Sequence, residues 1–179
     1  RTTAATESPL AVTLVQGLSR GERMDFVLQK ATELGVTAIA PVTTERCVVR
    51  LDTSQAERRI EHWRAITVSA CEQCGRTKLP VLEPITPLTL RLAKSSSDTT
   101  RIMLTPDGGR ALADAAHGAT RVELLIGPEG GLSTAENELA RHGGFTGATL
   151  GPRILRTETA ALVALTIVQQ VAGDLTRRR

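Results

Sequence analysis

The sequence predicts an α/β domain built on a mostly parallel sheet that is flanked by helices. Short runs rich in β-branched residues alternate with longer segments of helical periodicity along the chain. The run 122–126 is mostly apolar, as is typical of a strand buried on both faces of a parallel sheet. A length of 179 residues, with 41% hydrophobic and 23% charged residues, suits one globular domain.

The individual elements follow from local patterns and from the residues that end them. Strands are predicted at 10–15, 36–42, 81–85, 101–104, 122–126 and 146–150, and helices at 22–34, 54–74 and 110–116, from 133 onward and at 157–172. Gly35 and Gly75 end the first two helices, and Ser133 with Glu136 fits a capping box at the start of the fourth. A loop at 95–98 separates the two halves of the chain.

The first two helices each show a face that can pack against a core. Their stripes have spacings of three and four residues and consist of Phe26, Val27, Lys30, Ala31 and Leu34 in the first helix and Ile60, Trp63, Ile66, Thr67 and Ala70 in the second. Residues 1–9 are expected to be the remnant of a linker, so that the domain itself spans 10–179.

Composition and missing motifs exclude several classes of function. The net charge is +3, and 19 of the 22 basic residues are Arg, whose guanidinium binds phosphate in a forked geometry, so a nucleic-acid partner is permitted. No apolar run approaches the roughly 20 residues of a membrane span, and three Cys indicate a reducing compartment, so we expect a cytoplasmic protein. Cys71 and Cys74 lie inside a predicted helix without a second pair, and no metal site is predicted. Neither a P-loop, nor a Rossmann glycine motif, nor a nucleophile elbow occurs.

The loop 126–133 follows a buried strand and contains three glycines before a capped helix. Glycines at such a position let backbone groups approach a flat or anionic ligand, although a Gly/Pro turn between strand and helix is also common without one. Glu129 favours a ligand role, because a carboxylate inside this turn has no evident structural task.

The loop 150–160 is the second unusual strand-to-helix junction. Thr157 is expected to be the N-cap of the last helix, and Glu158 is favourable beside the positive end of the helix dipole. Arg153 and Arg156 are unfavourable there unless a carboxylate or a ligand compensates them.

These motifs together resemble the RsmE family of SPOUT-class RNA methyltransferases. Their order and spacing match over about residues 10–171, in the blocks KATELGV at 30–36, Pro41 with TER at 44–46, EQCGR at 72–76 with Pro80, IGPEGG at 126–131 and LGPRILRTETA at 150–160. The resemblance implies methylation of N3 of a uridine in small-subunit (16S) ribosomal RNA by a homodimer that uses S-adenosyl-L-methionine. It also implies a C-terminal trefoil knot. Members of the family normally carry an N-terminal PUA-like RNA-binding domain, which this sequence lacks.

The resemblance also implies which residues hold the cofactor and which take part in methyl transfer. The residues expected to hold the cofactor are Leu104, Thr105, Ile126, Gly127, Pro128, Glu129, Gly130, Gly131, Leu150, Gly151, Ile154, Leu155, Arg156 and Thr159. Uridine N3 must lose its proton before it attacks, and we expect Arg156 first, and Arg23 second, to stabilise the anion. Glu129 or Glu158 accepts that proton or orients an arginine, and the sequence leaves this choice open.

Two other functions remain open from the sequence. A SPOUT-type enzyme with another RNA substrate would carry the same cofactor loops. A non-catalytic RNA-binding module would keep the fold without turnover. Binding of S-adenosylmethionine separates the module from the enzymes, and mapping of the methylated nucleotide separates the substrates.

Overall fold

The structure is a computed structural model that describes residues 6–94, 98–106 and 108–176. Its strands are β1 (Ala11–Gly17), β2 (Ala38–Thr43), β3 (Val81–Leu82), β4 (Thr86–Pro87), β5 (Thr100–Leu104), β6 (Arg110–Ala111), β7 (Arg121–Ile126) and β8 (Thr146–Thr149). Its helices are α1 (Glu22–Glu33), α2 (Thr53–Cys74), α3 (Leu88–Leu92), α4 (Leu112–Ala116), α5 (Thr134–His142) and α6 (Thr157–Val171). No helix within these ranges is long and apolar enough to cross a lipid bilayer.

All eight strands form one sheet, and every described pairing is parallel. The strand order is β3-β2-β1-β7-β5-β8-β6, and β4 also pairs with β2. The two central strands, β1 and β7, are buried along most of their length. The predicted α/β class with a mostly parallel sheet is therefore confirmed.

Helices cover both faces of the sheet, because the apolar side chains of the strands point alternately to either side. Leu124 joins the larger core, which is formed with α1, α2, α4 and α6. Leu125, its neighbour in β7, joins the smaller core with α3 and α5. This three-layer arrangement leaves the ends of the strands as the places where loops can form a site.

The helix ends confirm most of the predicted signals. Gly75 ends α2 in the left-handed conformation with a φ of 76°. Ser133 caps α5, and its hydroxyl and the Glu136 side chain complete the predicted capping box. Asp52, which the sequence analysis did not identify, forms a second capping box with Gln55 at the start of α2. These caps fix the positions at which both helices begin.

The structure corrects several local predictions. The buried face of α1 consists of Met24, Val27, Leu28, Ala31 and Thr32, whereas Phe26 is 44% exposed, because α1 packs between α2 and α6. The first two residues of the predicted helix 110–116 form β6 beside β8 instead. The predicted strand 81–85 is only two residues long, and β4 and α3 follow it unpredicted. Residues 95–97 of the predicted loop lie outside the described residues.

Candidate active site

A cleft of about 760 Å³ lies at the carboxyl ends of β5, β7 and β8, where the loops that follow these three strands meet. Ligands of open parallel sheets bind at this end of the strands. The walls comprise Arg23, Arg46, Leu104, Thr105, Pro106, Ile126, Gly127, Pro128, Glu129, Gly131, Leu132, Asn137, Arg141, Ala148, Leu150, Gly151, Arg153, Ile154, Leu155, Arg156, Thr157 and Ala160. Its volume lies within the range of about 300–1,000 Å³ that small-molecule sites occupy.

A buried chain of hydrogen bonds holds the two glycine-bearing loops side by side. The Thr157 hydroxyl donates to the carbonyl oxygen of Gly127 over 2.7 Å. The Gln16 side-chain amide, at the end of β1, donates to the same hydroxyl over 2.9 Å. Because both polar side chains are buried, these bonds fix the separation of the loops.

Thr157 therefore has a different role from the one predicted. It is the first residue of α6, and the N-cap is Arg156, whose side chain makes no capping hydrogen bond. The hydroxyl of Thr157 is instead committed to Gly127 and Gln16, which lie on distant parts of the chain. Sequence reasoning missed Gln16, and only its position at the end of a buried strand could have indicated it.

Two glycines of the loop after β7 serve different purposes. Gly131 lines the cleft with a φ of 67°, in a conformation that other residues rarely adopt. Gly130 does not line the cleft. A Cβ there would come within 3.1 Å of the Arg46 Cβ, so Gly130 allows close packing against the segment after β2. The Arg46 guanidinium in turn donates to the Gly130 carbonyl oxygen over 3.2 Å.

Glu129 connects the loop after β7 to the start of α1. Its Oε1 accepts a hydrogen bond of 2.9 Å from the Arg23 guanidinium and one of 3.0 Å from the backbone N–H of Arg20. Partial burial raises the pKa of Glu129. The hydrogen bonds from the Arg20 N–H, from its own N–H and from Arg23 lower this pKa more, and the net result lies below the ordinary value. Glu129 is therefore ionised at neutral pH and orients Arg23.

Glu158 lies behind this pair rather than in the cleft wall. Its Oε1 is 3.9 Å from Arg23 Nε, and its side chain is only 15% exposed. Its other oxygen, Oε2, is buried without a hydrogen-bond partner among the described residues. Glu129 Oε1 is thus engaged by two hydrogen bonds, whereas Glu158 Oε2 has no hydrogen-bond partner among the described residues.

Arg153 and Arg156 line the cleft and are exposed. Neither has an ion pair with any described residue. The partner that their unfavourable position at a helix start requires is therefore not supplied by the described protein, which leaves both guanidinium groups available to a ligand.

Most of the predicted site residues come together in this cleft. All the predicted cofactor residues line the cleft except Gly130 and Thr159. Of the predicted catalytic residues, Arg23, Glu129 and Arg156 line the cleft and Glu158 does not. The prediction omitted several lining residues, among them Arg46, Leu132, Asn137, Arg141 and Ala160. Asn137 and Arg141 are four residues apart on α5, a helical spacing that follows directly after the loop 126–133 and could have indicated them.

The described residues contain no cluster of three or more His, Cys, Asp and Glu side chains suited to a metal ion. Cys71 is buried, and its thiol lies 3.7 Å from the carbonyl oxygen of Lys78. The thiol of Cys74 faces the carbonyl oxygen of Cys71 at 3.8 Å. These contacts are those of a helix that packs against its own C-terminal turn.

Known proteins resemble the chain over almost its whole length. A family model described as an RNA methyltransferase domain matches residues 6–169. The ribosomal RNA small subunit methyltransferase E of Buchnera aphidicola subsp. Schizaphis graminum is 37% identical over 169 residues, which are 94% of this chain and 69% of that protein. The chain thus spans about two thirds of the length of such relatives.

Solved structures agree with the sequence relatives. The ribosomal RNA small subunit methyltransferase E of Neisseria gonorrhoeae, crystallised with S-adenosylmethionine, is 45% identical with a TM-score of 0.90 over 97% of this chain and 71% of that one. The methyltransferase Lpg2936 of Legionella pneumophila, also in complex with its cofactor, is 42% identical with a TM-score of 0.88. The match covers 95% of this chain and 70% of the Legionella chain. The SPOUT-type α/β fold is confirmed by structural matches, while the trefoil knot stays a prediction. The chain belongs to the family of ribosomal RNA small subunit methyltransferase E.

Proposed function

We propose that this protein transfers a methyl group from S-adenosylmethionine to N3 of a uridine in small-subunit ribosomal RNA. The observation that carries the proposal is the hydrogen bond between Thr157 and Gly127, which joins the two loops into one cleft. The Neisseria and Legionella relatives bind S-adenosylmethionine, which supports the same cofactor here.

The residues of the cleft suit that cofactor. The backbone of Gly127, Gly131 and Gly151 offers N–H and C=O groups to the adenosine and the methionine. Leu104, Ile126 and Leu155 supply apolar surface. We assign the cofactor to this surface, with Thr105 at its opposite side. When bound, S-adenosylmethionine supplies an electrophilic methyl group at its sulfonium.

The arginines and carboxylates around the cleft prepare the acceptor base. Uridine N3 attacks only as the deprotonated base, whose negative charge spreads to O2 and O4. The free guanidinium of Arg156 stabilises that charge, and Arg23, held by Glu129, is the second donor. Glu129 lines the cleft as an ionised carboxylate and is the acceptor of the N3 proton, whereas Glu158, which lies outside the cleft wall and 3.9 Å from Arg23, helps to orient that arginine.

We further infer a homodimer that works in the cytoplasm, where ribosomal RNA is. Ile154 supports a second copy, because its side chain is 89% exposed at the rim of the cleft and a partner surface would cover it. Size-exclusion chromatography with light scattering measures the mass of the particle. A monomer at micromolar concentration would contradict the dimer.

Calorimetry on two matched tryptophan variants tests the cofactor site. Gly131→Trp places a ring in the cleft, whereas Gly118→Trp places the same ring at a glycine of similar φ, 72°, in open space away from the cleft. Both substitutions put a side chain at a similar positive φ, so the main difference between them is the location. We expect the Gly131 variant to lose S-adenosylmethionine affinity by about 100-fold or more, equivalent to roughly 2.7 kcal/mol, and the Gly118 variant to retain it. Equal affinities in both variants would contradict the site.

Incubation of unmodified small-subunit ribosomal RNA with the protein and S-adenosylmethionine tests the reaction. We expect one uridine to acquire an N3-methyl group, detected by mass spectrometry of nuclease fragments. Methylation of transfer RNA in place of ribosomal RNA would establish the alternative substrate class. Binding of S-adenosylmethionine without transfer to either RNA would establish a non-catalytic module.

A further inference from the structure

A second concave surface, the arginine groove, lies between the start of α1 and the first half of α2. We define it by Arg20, Arg50, Arg58, Arg59 and His62, and its volume is about 690 Å³. Its two acidic lining residues are Glu22 and Asp25. Positive side chains thus outnumber negative ones along this surface.

The sequence of α2 places its contribution to the groove on one face. Gln55, Arg58, Arg59 and His62 are spaced by three, one and three residues and lie together along about 10 Å of helix. The opposite face of the same helix carries Arg64, which does not line the groove. The groove therefore has a defined cationic wall rather than a diffuse basic character.

Buried contacts hold that wall against α1. The Trp63 indole, 1% exposed, donates to Asp25 Oδ1 over 2.9 Å. The imidazole Nε2 of His62 lies 2.9 Å from Asp25 Oδ2. Asp25 is thereby engaged through both oxygens, which reduces its capacity to neutralise the neighbouring arginines.

Arg20, Arg50 and Arg58 are exposed and Arg59 is half-buried, and none of the four forms an ion pair within the described parts of the chain. Guanidinium groups gathered on one concave surface repel one another and attract anions. Arg also forms two parallel hydrogen bonds to a phosphate, which a lysine does not. The chemistry of this surface fits a chain of phosphates.

The groove is continuous with the cleft. A shallow depression lined by Arg20, Gly21, Arg23, Val48 and Glu129 lies between them and shares residues with both. The backbone N–H of Arg20, which belongs to the groove, donates to the Glu129 carboxylate of the cleft over 3.0 Å. A polymer that crosses the groove therefore reaches the site where the acceptor base has to enter.

We propose that the arginine groove binds the phosphate backbone of the ribosomal RNA strand on one side of the target nucleotide. This inference rests on the proposed function, because it assumes an RNA acceptor in the cleft. The chain has only two Phe and one Trp, and Trp63 is buried, so the groove offers little aromatic surface on which bases could stack. The groove therefore contributes affinity that is independent of sequence and depends strongly on salt.

Paired glutamine variants with equal changes of charge test the groove. Arg58→Gln with Arg59→Gln removes two charges from the groove, and Arg64→Gln with Arg121→Gln removes two exposed charges elsewhere. Gln has a helix propensity close to that of Arg, so α2 remains folded, which circular dichroism checks. The probe is unmodified small-subunit ribosomal RNA, and its binding is measured at KCl concentrations from about 50 to about 300 mM.

We expect the groove variant to bind RNA more weakly and with less dependence on salt. The slope of log K against log salt is negative, and two lost phosphate contacts reduce its magnitude by about 1.4 to 1.8. The KM for RNA rises, while kcat at saturating RNA and the affinity for S-adenosylmethionine stay at the values of the unaltered protein. The control variant, with its two charges removed away from the groove, shows a smaller change of slope.

Three outcomes separate the inferences. If the unaltered protein methylates ribosomal RNA and the groove and control variants lose the same affinity, the groove proposal is overturned and the proposed function stands. Wild-type salt dependence in the groove variant overturns the proposal in the same way. If the unaltered protein binds this RNA but methylates none, the proposed function fails, and the groove loses the premise on which it rests.

Discussion

The two ends of the parallel sheet use arginine in opposite ways. Near the amino ends of β5 and β7, Arg101 lies in register with Glu123 and donates to its Oε2 over 2.8 Å. Arg91 of α3 donates to the other oxygen of Glu123 over 2.8 Å and also binds Glu83. The side chains of Glu123 and its two arginine partners are only 5–11% exposed. Every one of these charges has a partner.

At the carboxyl ends of the same strands, the arginines of the cleft are exposed. Arg153 and Arg156 form no ion pair in the described part of the chain, and Arg23 shares Glu129 while its side chain remains 44% exposed. A buried unpaired charge would destabilise the fold, so burial demands pairing, whereas an exposed arginine is free to bind a ligand. Burial, rather than residue type, separates the arginines that hold this fold together from those available to RNA.

The largest effect expected from this comparison is on stability. Glu123→Ala leaves Arg91 and Arg101 buried beside a lost acceptor, and breaking such a pair costs about 3–5 kcal/mol. Urea unfolding followed by circular dichroism measures the loss. Glu138→Ala removes an exposed carboxylate from α5 and is expected to stay within about 0.5 kcal/mol of the unaltered protein. Equal stability of the two variants would contradict the structural role of the Glu123 network.

The next effect is on catalysis without a change in stability. Arg156→Ala removes the guanidinium proposed to stabilise the uridine anion, and we expect kcat to fall by about 100- to 1,000-fold. Its urea midpoint is expected to stay unchanged, because the side chain makes no capping bond and no ion pair with described residues. Its affinity for S-adenosylmethionine is expected to be retained, because we assign the guanidinium to the uridine anion rather than to the cofactor. Arg121→Ala, an exposed arginine at the amino end of β7, serves as the control and retains full activity. A matching loss in both variants, or full activity of Arg156→Ala, would rule out the assigned role.

Sequence patterns were sufficient for features that depend on neighbours in the chain. The long helices, the central strands and the capping box at Ser133 follow from periodicity and from capping residues. The location of the cleft followed from the topology, because the carboxyl ends of parallel strands meet at one edge. The unfavourable charge of Arg156 at a helix start predicted a carboxylate or a ligand as its partner; the described residues supply no carboxylate, and the ligand stays a prediction.

Features that depend on contacts between residues far apart in the chain could not be predicted from the sequence. Thr157 looked like a cap, yet its hydroxyl binds Gln16 and Gly127, which lie 141 and 30 residues away. Phe26 fitted an apolar stripe, but the neighbours of α1 determined which face is buried. The two-residue strand β6 is specified by its pairing with β8 and leaves no periodic signal. Long-range hydrogen bonds have no local pattern that could predict them.

Arg76 extends the comparison to a third region, because it is paired and buried although it lies just after α2. Its side chain is 5% exposed and donates to the carbonyl oxygens of Thr32 and Val36 and to Glu7. Glu7 also accepts hydrogen bonds of 3.0 Å from the backbone N–H groups of Thr77 and Lys78. Burial raises the pKa of Glu7, but the bonds from Arg76, Lys78 and Thr77 lower this pKa more, so that it lies below its ordinary value.

The smallest predicted effect is therefore one that depends on pH. A carboxyl whose pKa is lower in the folded state contributes stability above its unfolded pKa of about 4.5, and this contribution is lost as the pH falls through the folded pKa. We expect Glu7→Gln to lower the free energy of unfolding by about 1 kcal/mol at pH 7 and by progressively less below pH 4.5. Urea titrations from pH 7 to below pH 4.5 measure the difference in the free energy of unfolding between the variant and the unaltered protein. Glu57→Gln, at an exposed position on α2, should change this free energy little at any pH. A difference that grew on acidification would mean that Glu7 is not held as a carboxylate by Arg76, and the region would then belong with the unpaired arginines.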